Sequence, residues 1–98
     1  MNPKQKLIEV LRETRVFLAR PGNDFVWSSW PDAAAALPEI DRLISRISSD
    51  DFPSRDEITF PFLPTGSIQE ASVSSGWGQE FLEISSRLDV VVEAVYGA

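Results

Sequence analysis

The stretch that decides the fold is NPKQKLIEVLRETRVFLARPG, residues 2–22. Asn2 followed by Pro3 is typical of a helix start, because the asparagine side chain can cap free backbone amides and the proline has no amide to satisfy. The Pro–Gly pair that closes the stretch stops a helix. Between these ends, side chains recur at the spacing of one helix face: Leu7, Val10, Leu11, Thr14, Phe17 and Leu18. The pattern predicts an amphipathic helix over residues 3–20.

The segment that follows the first loop repeats this pattern with one complication. Residues 29–32, SWPD, have the form of a capping box, so we expect a second helix over residues 30–48. Its apolar positions are Leu37, Ile40, Leu43, Ile44 and Ile47. Pro38 lies inside this run and should kink the helix, or split it near Leu37, because proline lacks the amide donor and clashes with the preceding turn.

The middle of the chain is less decisive. Ser54 and Glu57 form a second capping-box pattern, which favours a short helix over residues 56–63. The sequence ITF within it has strand character, so an extended conformation stays open as an alternative.

The last third of the chain predicts two further helices. Thr65 or Ser67 can cap a helix over residues 66–75, and Gly76 ends it as a left-handed stop. A final helix follows over residues 78–96, with a broad apolar face: Phe81, Leu82, Ile84, Leu88, Val91, Val92, Val95 and Tyr96.

Length and composition agree with a single folded unit. The chain has 98 residues, of which 43% are hydrophobic and 24% charged, and these are ordinary values for a globular domain. We therefore predict an all-α protein: one compact, four-helix bundle-like domain over residues 1–98, with a kinked second helix and aromatic-rich loops.

The residue types that are missing bound the chemistry. The sequence contains no cysteine and no histidine, which removes thiolate chemistry, the usual general base and the commonest metal ligand. We predict that the protein is not an enzyme and needs no cofactor. A hard-cation site is conceivable at Asp50, Asp51, Asp56 and Glu57, but their spacing is not that of an EF-hand loop, and a solvated acidic linker is the favoured interpretation.

Charge is distributed unevenly along the chain. The net charge is −6, yet residues 1–20 carry five basic and two acidic groups, whereas residues 21–98 carry four basic and thirteen acidic groups. The acidic body argues against a nucleic-acid partner because phosphate would be repelled. The basic first helix could contact an anionic partner, but we favour its packing beside the acidic remainder of its own chain.

The sequence also bears on location. Its first residues form a charged amphipathic segment rather than a secretory signal, and its apolar runs are too short to span a bilayer. We expect a cytoplasmic protein with no membrane partner.

Two aromatic loops supply the candidate binding surface: RPGNDFVWSSW, residues 20–30, and SSGWG, residues 74–78. The candidate residues are Arg20, Asn23, Asp24, Trp27, Trp30 and Trp77. They could wall a ligand cleft or form a protein-binding surface, since tryptophan and arginine are enriched at interface hot spots. The competing interpretation, which we favour, is that the aromatic rings fill the core, because a small domain needs large side chains there.

Two longer stretches carry a resemblance. FLARPGNDFVWSSW, PTGSIQEASVSSGWGQEFLEISSRLD and the proline-containing helix between them resemble a small family of functionally uncharacterised bacterial proteins, over most of the chain. The resemblance implies no catalytic or binding role for any position.

These observations leave two hypotheses for function. The leading one is a protein–protein interaction module with a protein partner or a second copy of itself; neutralisation of a toxin is one specific version, because an acidic surface can occupy a basic cleft. The alternative is a small-molecule-binding protein with a tryptophan-lined pocket.

Overall fold

The structure is a computed structural model, and it describes residues 2–26, 28–63 and 66–97. Its elements in chain order are α1 Pro3–Leu18, α2 Ala33–Ser48, α3 Arg55–Thr59, a 3-10 turn Phe60–Phe62, α4 Ser67–Ser75 and α5 Gly78–Tyr96. The described residues form helices and connecting loops with no strand, so the predicted all-α class is confirmed. The short helix predicted within residues 56–63 is also present, and the extended alternative is wrong.

The predicted start of α1 is confirmed, because the Asn2 side chain accepts a hydrogen bond of 2.8 Å from the Gln5 amide. The helix ends at Leu18, two residues before the predicted end. Asn23 caps this end: its Nδ2 donates to the carbonyl oxygens of Phe17 and Leu18, at 2.8 and 3.0 Å. The last carbonyls of a helix lack partners within it and take donors from beyond its end, and the Arg20 amide also donates to the Phe17 carbonyl at 3.2 Å.

The predicted start of α2 needs a correction. The cap is Asp32, whose Oδ1 accepts a hydrogen bond of 3.0 Å from the Ala35 amide, and the helix begins at Ala33. The expected box with Ser29 as cap is therefore wrong. The helix continues through Pro38 without interruption, which rules out the split into two pieces; the kink stays a prediction.

The predicted cap is confirmed for α3 and wrong for α4. Ser54 and Glu57 form the predicted reciprocal box, with Ser54 N donating to Glu57 Oε2 at 2.7 Å and Glu57 N donating to Ser54 Oγ at 3.2 Å. In α4 the cap is Gly66 and lacks a side-chain hydrogen bond, so the expected capping by Ser67 is wrong. The other candidate, Thr65, lies outside the described residues.

The core lies between α1 and its two neighbours, α2 and α5, and α4 packs against α5. Its fully buried side chains include Leu7, Leu11, Leu18, Ile40, Ile47, Ile58, Ile68, Ile84, Leu88 and Val92. Thr14 is buried in the same stripe, and its hydroxyl is satisfied there by donating to the Val10 carbonyl at 2.8 Å. Leu82 is an exception to the predicted apolar face of α5, since it is 53% exposed. The radius of gyration, 12.7 Å, is that expected for a compact fold of this length.

The charge asymmetry is partly balanced within the fold. On α1, Lys4 Nζ lies 2.8 Å from Asp50 Oδ1, and the guanidinium of Arg15 contacts Asp41 with a shortest distance of 2.6 Å. The favoured interpretation, a basic helix packed beside its own acidic chain, is confirmed for these two residues. None of the described helices has the length and apolar character that crossing a membrane requires.

Candidate functional site

The SSGWG stretch forms a corner between α4 and α5. Gly76 adopts a φ of 86°, which other residues disfavour, and Trp77 follows with only 2% of its surface exposed. The indole stacks on Phe17 with ring centroids 5.0 Å apart, and its Nε1 donates to Asn23 Oδ1 at 3.0 Å. Trp77 therefore joins this corner to the end of α1.

Two more of the predicted binding residues adjoin this corner. Asn23 uses its amide nitrogen on the last carbonyls of α1 and its oxygen on Trp77. The Arg20 guanidinium lies 4.1 Å from the centre of the Phe17 ring, on the exposed side of the cluster, in a cation–π arrangement. Arg20, Asn23 and Trp77 are thus brought together, but the polar groups of Asn23 and Trp77 are occupied by each other and by the backbone.

Asp24 ties the first loop to the end of α4. Its amide donates to Ser75 Oγ at 2.8 Å, and its own Oδ1 accepts from the Val26 amide at 2.9 Å, which is an Asx-turn. Asp24 remains exposed.

Trp30 lies in a different environment from Trp77. It is 6% exposed, and its Nε1 donates to Glu39 Oε2 on α2 at 3.0 Å. The core interpretation is therefore confirmed for both Trp30 and Trp77, and also for Phe25, which is 8% exposed. Trp27 lies outside the described residues.

A more accessible apolar surface occurs where sequence reasoning did not place a site. We call residues 60–63 the ridge. Phe60 is 62% exposed and Leu63 44% exposed, although Phe62 between them is 5% exposed and stacks on Phe81 at 6.3 Å. The turn is fastened by a hydrogen bond of 3.2 Å from the Leu63 amide to the Phe60 carbonyl. The ridge therefore carries two large apolar side chains towards solvent on a buried base.

A pocket of about 590 Å³ lies on one side of the ridge, and we call it the Trp30 pocket. Its lining residues are Ser29, Trp30, Glu39, Phe60, Pro61, Gly66, Ser67 and Glu70. The wall is held together by hydrogen bonds between the first loop and α4: the Ser29 and Ser67 hydroxyls bond to each other, and Ser28 Oγ donates to the Ser67 carbonyl at 3.1 Å.

A smaller pocket of about 230 Å³ also adjoins the ridge, through Phe62 and Leu63. Its lining residues are Thr59, Phe62, Leu63, Gln69, Phe81, Leu82, Ser85 and Asp89. Leu63 and the exposed Leu82 form part of its lining, so the apolar surface continues from the ridge onto α5. Within the described part of the chain, the buried Oε1 atom of Gln69 has no hydrogen-bond partner.

The described charged side chains that line these two pockets are all acidic. The described lining of the two pockets contains the carboxylates Glu39, Glu70 and Asp89 and no lysine or arginine. Aromatic and aliphatic side chains framed by carboxylates are suited to binding a cationic, partly apolar ligand.

A wider depression of about 900 Å³ between α1 and α5 has a different character. Its lining includes charges of both signs, and Arg87 Nη2 donates to Glu13 Oε1 across it at 2.8 Å. This hydrogen bond and the adjacent positive charge hold the pKa of Glu13 below its ordinary value. The depression is thus spanned by an ion pair, whereas the pockets beside the ridge are not.

Sequence reasoning missed Glu39, Phe60 and Glu70 as site residues. One signal was available for Phe60: it lies two residues from Phe62, and residues at that spacing do not share a helix face. If the segment is helical, one of the two rings therefore points away from the core. The carboxylates carried no such signal.

Comparisons with known proteins add nothing to this geometry: no family model matches the chain, and neither the curated proteins nor the solved structures gave a match. The resemblance to a bacterial family therefore stays a prediction.

Proposed function

We propose that this protein is a non-enzymatic, cytoplasmic interaction module that binds a partner protein through the ridge and the two pockets beside it. The observation that carries the proposal is the exposed Phe60, 62% accessible on a base that is otherwise buried. Large exposed apolar side chains grouped on one surface mark interaction sites more often than scattered ones do.

The charge around the ridge supports a basic partner. Carboxylates surround the apolar side chains, and complementary charge on a partner would speed association and exclude acidic competitors. Neutralisation of a basic toxin is one specific version of this proposal. Binding of a second copy is less favoured at this surface, because two ridges would bring like charges together.

Affinity capture from native-host lysate tests the proposal, with retained proteins identified by mass spectrometry. Three baits are compared: the natural protein, Phe60→Ser and Val16→Ser. Val16 is a matched control because it is 63% exposed on α1 and lies outside the ridge and the pockets described above. We expect one stoichiometric basic partner, retained by Val16→Ser and reduced to about a tenth by Phe60→Ser, as for a hot-spot side chain.

Two results would contradict the proposal. One is equal retention by all three baits, which would move the interface away from the ridge. The other is no retained partner together with a monomeric mass by light scattering at high concentration, which would argue against an interaction module altogether.

A small-molecule-binding function is the second candidate, and the Trp30 pocket favours it. Its volume of about 590 Å³ falls in the range of ligand pockets, and one wall is a tryptophan. A ligand bound there should raise the melting temperature and change tryptophan fluorescence. A chemically diverse library that produces neither change would remove this candidate.

A further inference from the structure

We infer that the Trp30 pocket receives an arginine or lysine side chain from the partner protein. The inference rests on the proposed function and adds the chemistry by which the partner is recognised. It follows from the charges, the aromatic surface and the position of the pocket beside the ridge.

The two carboxylates of this pocket, Glu39 and Glu70, like several others in the described residues 2–26, 28–63 and 66–97, take part in no ion pair, and Glu39 is exposed to a ligand. Asp41 and Asp50, by contrast, each pair with a basic side chain of α1. Two negative charges therefore line a pocket whose described wall supplies no positive charge.

The geometry fixes one of these carboxylates in place. The Trp30 indole donates to Glu39 Oε2 at 3.0 Å, so the group is oriented before any ligand arrives. In the described part of the chain, Glu39 Oε1 has no hydrogen-bond donor and can accept from a cation. A guanidinium or ammonium group bound there gains a charge-assisted hydrogen bond at little cost in reorganisation.

The aromatic side chains favour the same kind of ligand. Phe60 lines the pocket and is 62% exposed, and an aromatic ring attracts a cation electrostatically, whereas the 6% exposed Trp30 contributes by orienting Glu39. The long aliphatic stem of arginine or lysine would lie along Phe60 and Pro61 while its charged end reaches the carboxylates. A free small amine would leave the exposed Phe60 without a contact, and this is why we assign the site to a side chain of a protein.

The test uses a fluorescein-labelled hexa-arginine peptide and its binding by fluorescence anisotropy at about 0.15 M salt, where long-range attraction is screened. The site variant is Glu39→Gln/Glu70→Gln, in which the glutamine at position 39 can still accept from the Trp30 indole. The matched control is Glu80→Gln/Glu93→Gln, which changes the net charge equally on exposed positions of α5.

We expect the site variant to raise the dissociation constant about tenfold, and the control to raise it by less than about threefold. Equal losses would mean that the peptide binds the acidic surface diffusely, and this would overturn the inference. Ethylguanidinium binding as tightly as the peptide would also overturn it, because the pocket would then serve a free small cation.

A second measurement covers a site variant that fails to fold. In the natural protein, titration with hexa-arginine should shift the NMR resonance of the Trp30 indole N–H more than that of Trp77. An unchanged Trp30 resonance would contradict the inference.

Failure here is distinguishable from failure of the proposed function. If Glu39→Gln/Glu70→Gln captures the lysate partner as well as the natural protein does, and Phe60→Ser does not, the cation pocket is wrong and the interaction module stands. If none of the baits captures a partner, the proposed function itself fails.

Discussion

Trp77 joins the corner between α4 and α5 to the end of α1. It is 2% exposed, stacks on Phe17 and donates to Asn23, so its removal would leave a cavity and take the donor from a half-buried oxygen. We predict that Trp77→Ala lowers the free energy of unfolding by about 3–5 kcal/mol, and that Trp77→Phe costs less because most of the ring volume is kept. Urea unfolding followed by circular dichroism measures both. A cost for Trp77→Ala below about 1 kcal/mol would contradict the core assignment.

Gly66 is required by close approach rather than by its backbone angles. A Cβ atom there would lie 2.8 Å from the Pro61 carbonyl oxygen and 2.9 Å from that of Phe60, and backbone atoms cannot move aside as side chains do. We predict that Gly66→Ala destabilises the protein by about 1–3 kcal/mol, the usual cost of overpacking.

Gly78 provides the matched control for this substitution. A Cβ atom at that position would meet Val73 Cγ2 at 3.5 Å, an ordinary contact, and Ala favours the helix. Gly78→Ala should therefore be neutral or stabilising. Thermal unfolding compares the two variants, and equal melting temperatures would contradict the steric argument.

At the residue scale, the sequence predicts roles that depend on neighbouring residues in the chain. It misses roles that depend on contacts between residues far apart in the chain. Gly76 as a left-handed stop was predicted correctly. The two contacts of the Asn23 side chain, with the end of α1 and with Trp77, were not predicted. Trp77 lies 54 residues away in the chain. A side chain can be assigned two partners only when both elements are in place.

At the scale of elements, the caps show why helix starts are harder to predict than helices. The sequence predicted Ser29 as the cap of α2 and Thr65 or Ser67 as that of α4. The Ser29 hydroxyl instead bonds to that of Ser67, so the serines connect two elements and the cap of α2 passes to Asp32. The capping box predicted for Ser54 and Glu57 is present, because both hydrogen-bonding partners lie within the same four residues.

This box gives α3 a dependence on pH. Hydrogen bonding to Ser54 is the main cause that lowers the pKa of Glu57 below its ordinary value of 4.5, and nearby Arg46 lowers it further against the effect of desolvation. A lowered pKa in the folded state means that the stabilisation is present above the unfolded pKa and is lost as pH falls through the folded value. The melting temperature should therefore fall as pH is lowered from 6 towards about 3, the range in which carboxylates take up protons.

Glu57→Gln isolates this contribution. It should lower the melting temperature at neutral pH and reduce the drop on acidification, because the group that titrates is gone. Scanning calorimetry of both proteins across this pH range measures the difference. Identical drops in the two proteins would show that Glu57 does not contribute to the acid sensitivity.

At the scale of the whole molecule, the all-α class followed from periodicity, because four apolar stripes at helical spacing need each other to be buried. The exposed ridge and its unpaired carboxylates could not be derived in this way. Which apolar side chains remain outside, and which carboxylates meet a base, depends on how the helices are arranged. Two basic side chains of α1, Lys4 and Arg15, pair with Asp50 and Asp41, and among the described residues no basic side chain of α1 pairs with Glu39 or Glu70.

The central claim is that the ridge contacts another protein, and site-specific photo-crosslinking in native-host cells tests it most directly. The photoreactive residue benzoylphenylalanine replaces Phe60 in one strain, and Val16 or Val26 in control strains, since all three positions are exposed. The account predicts one crosslinked basic protein from position 60 and none from the controls. No crosslink from position 60, or equal crosslinking from all three positions, would contradict it.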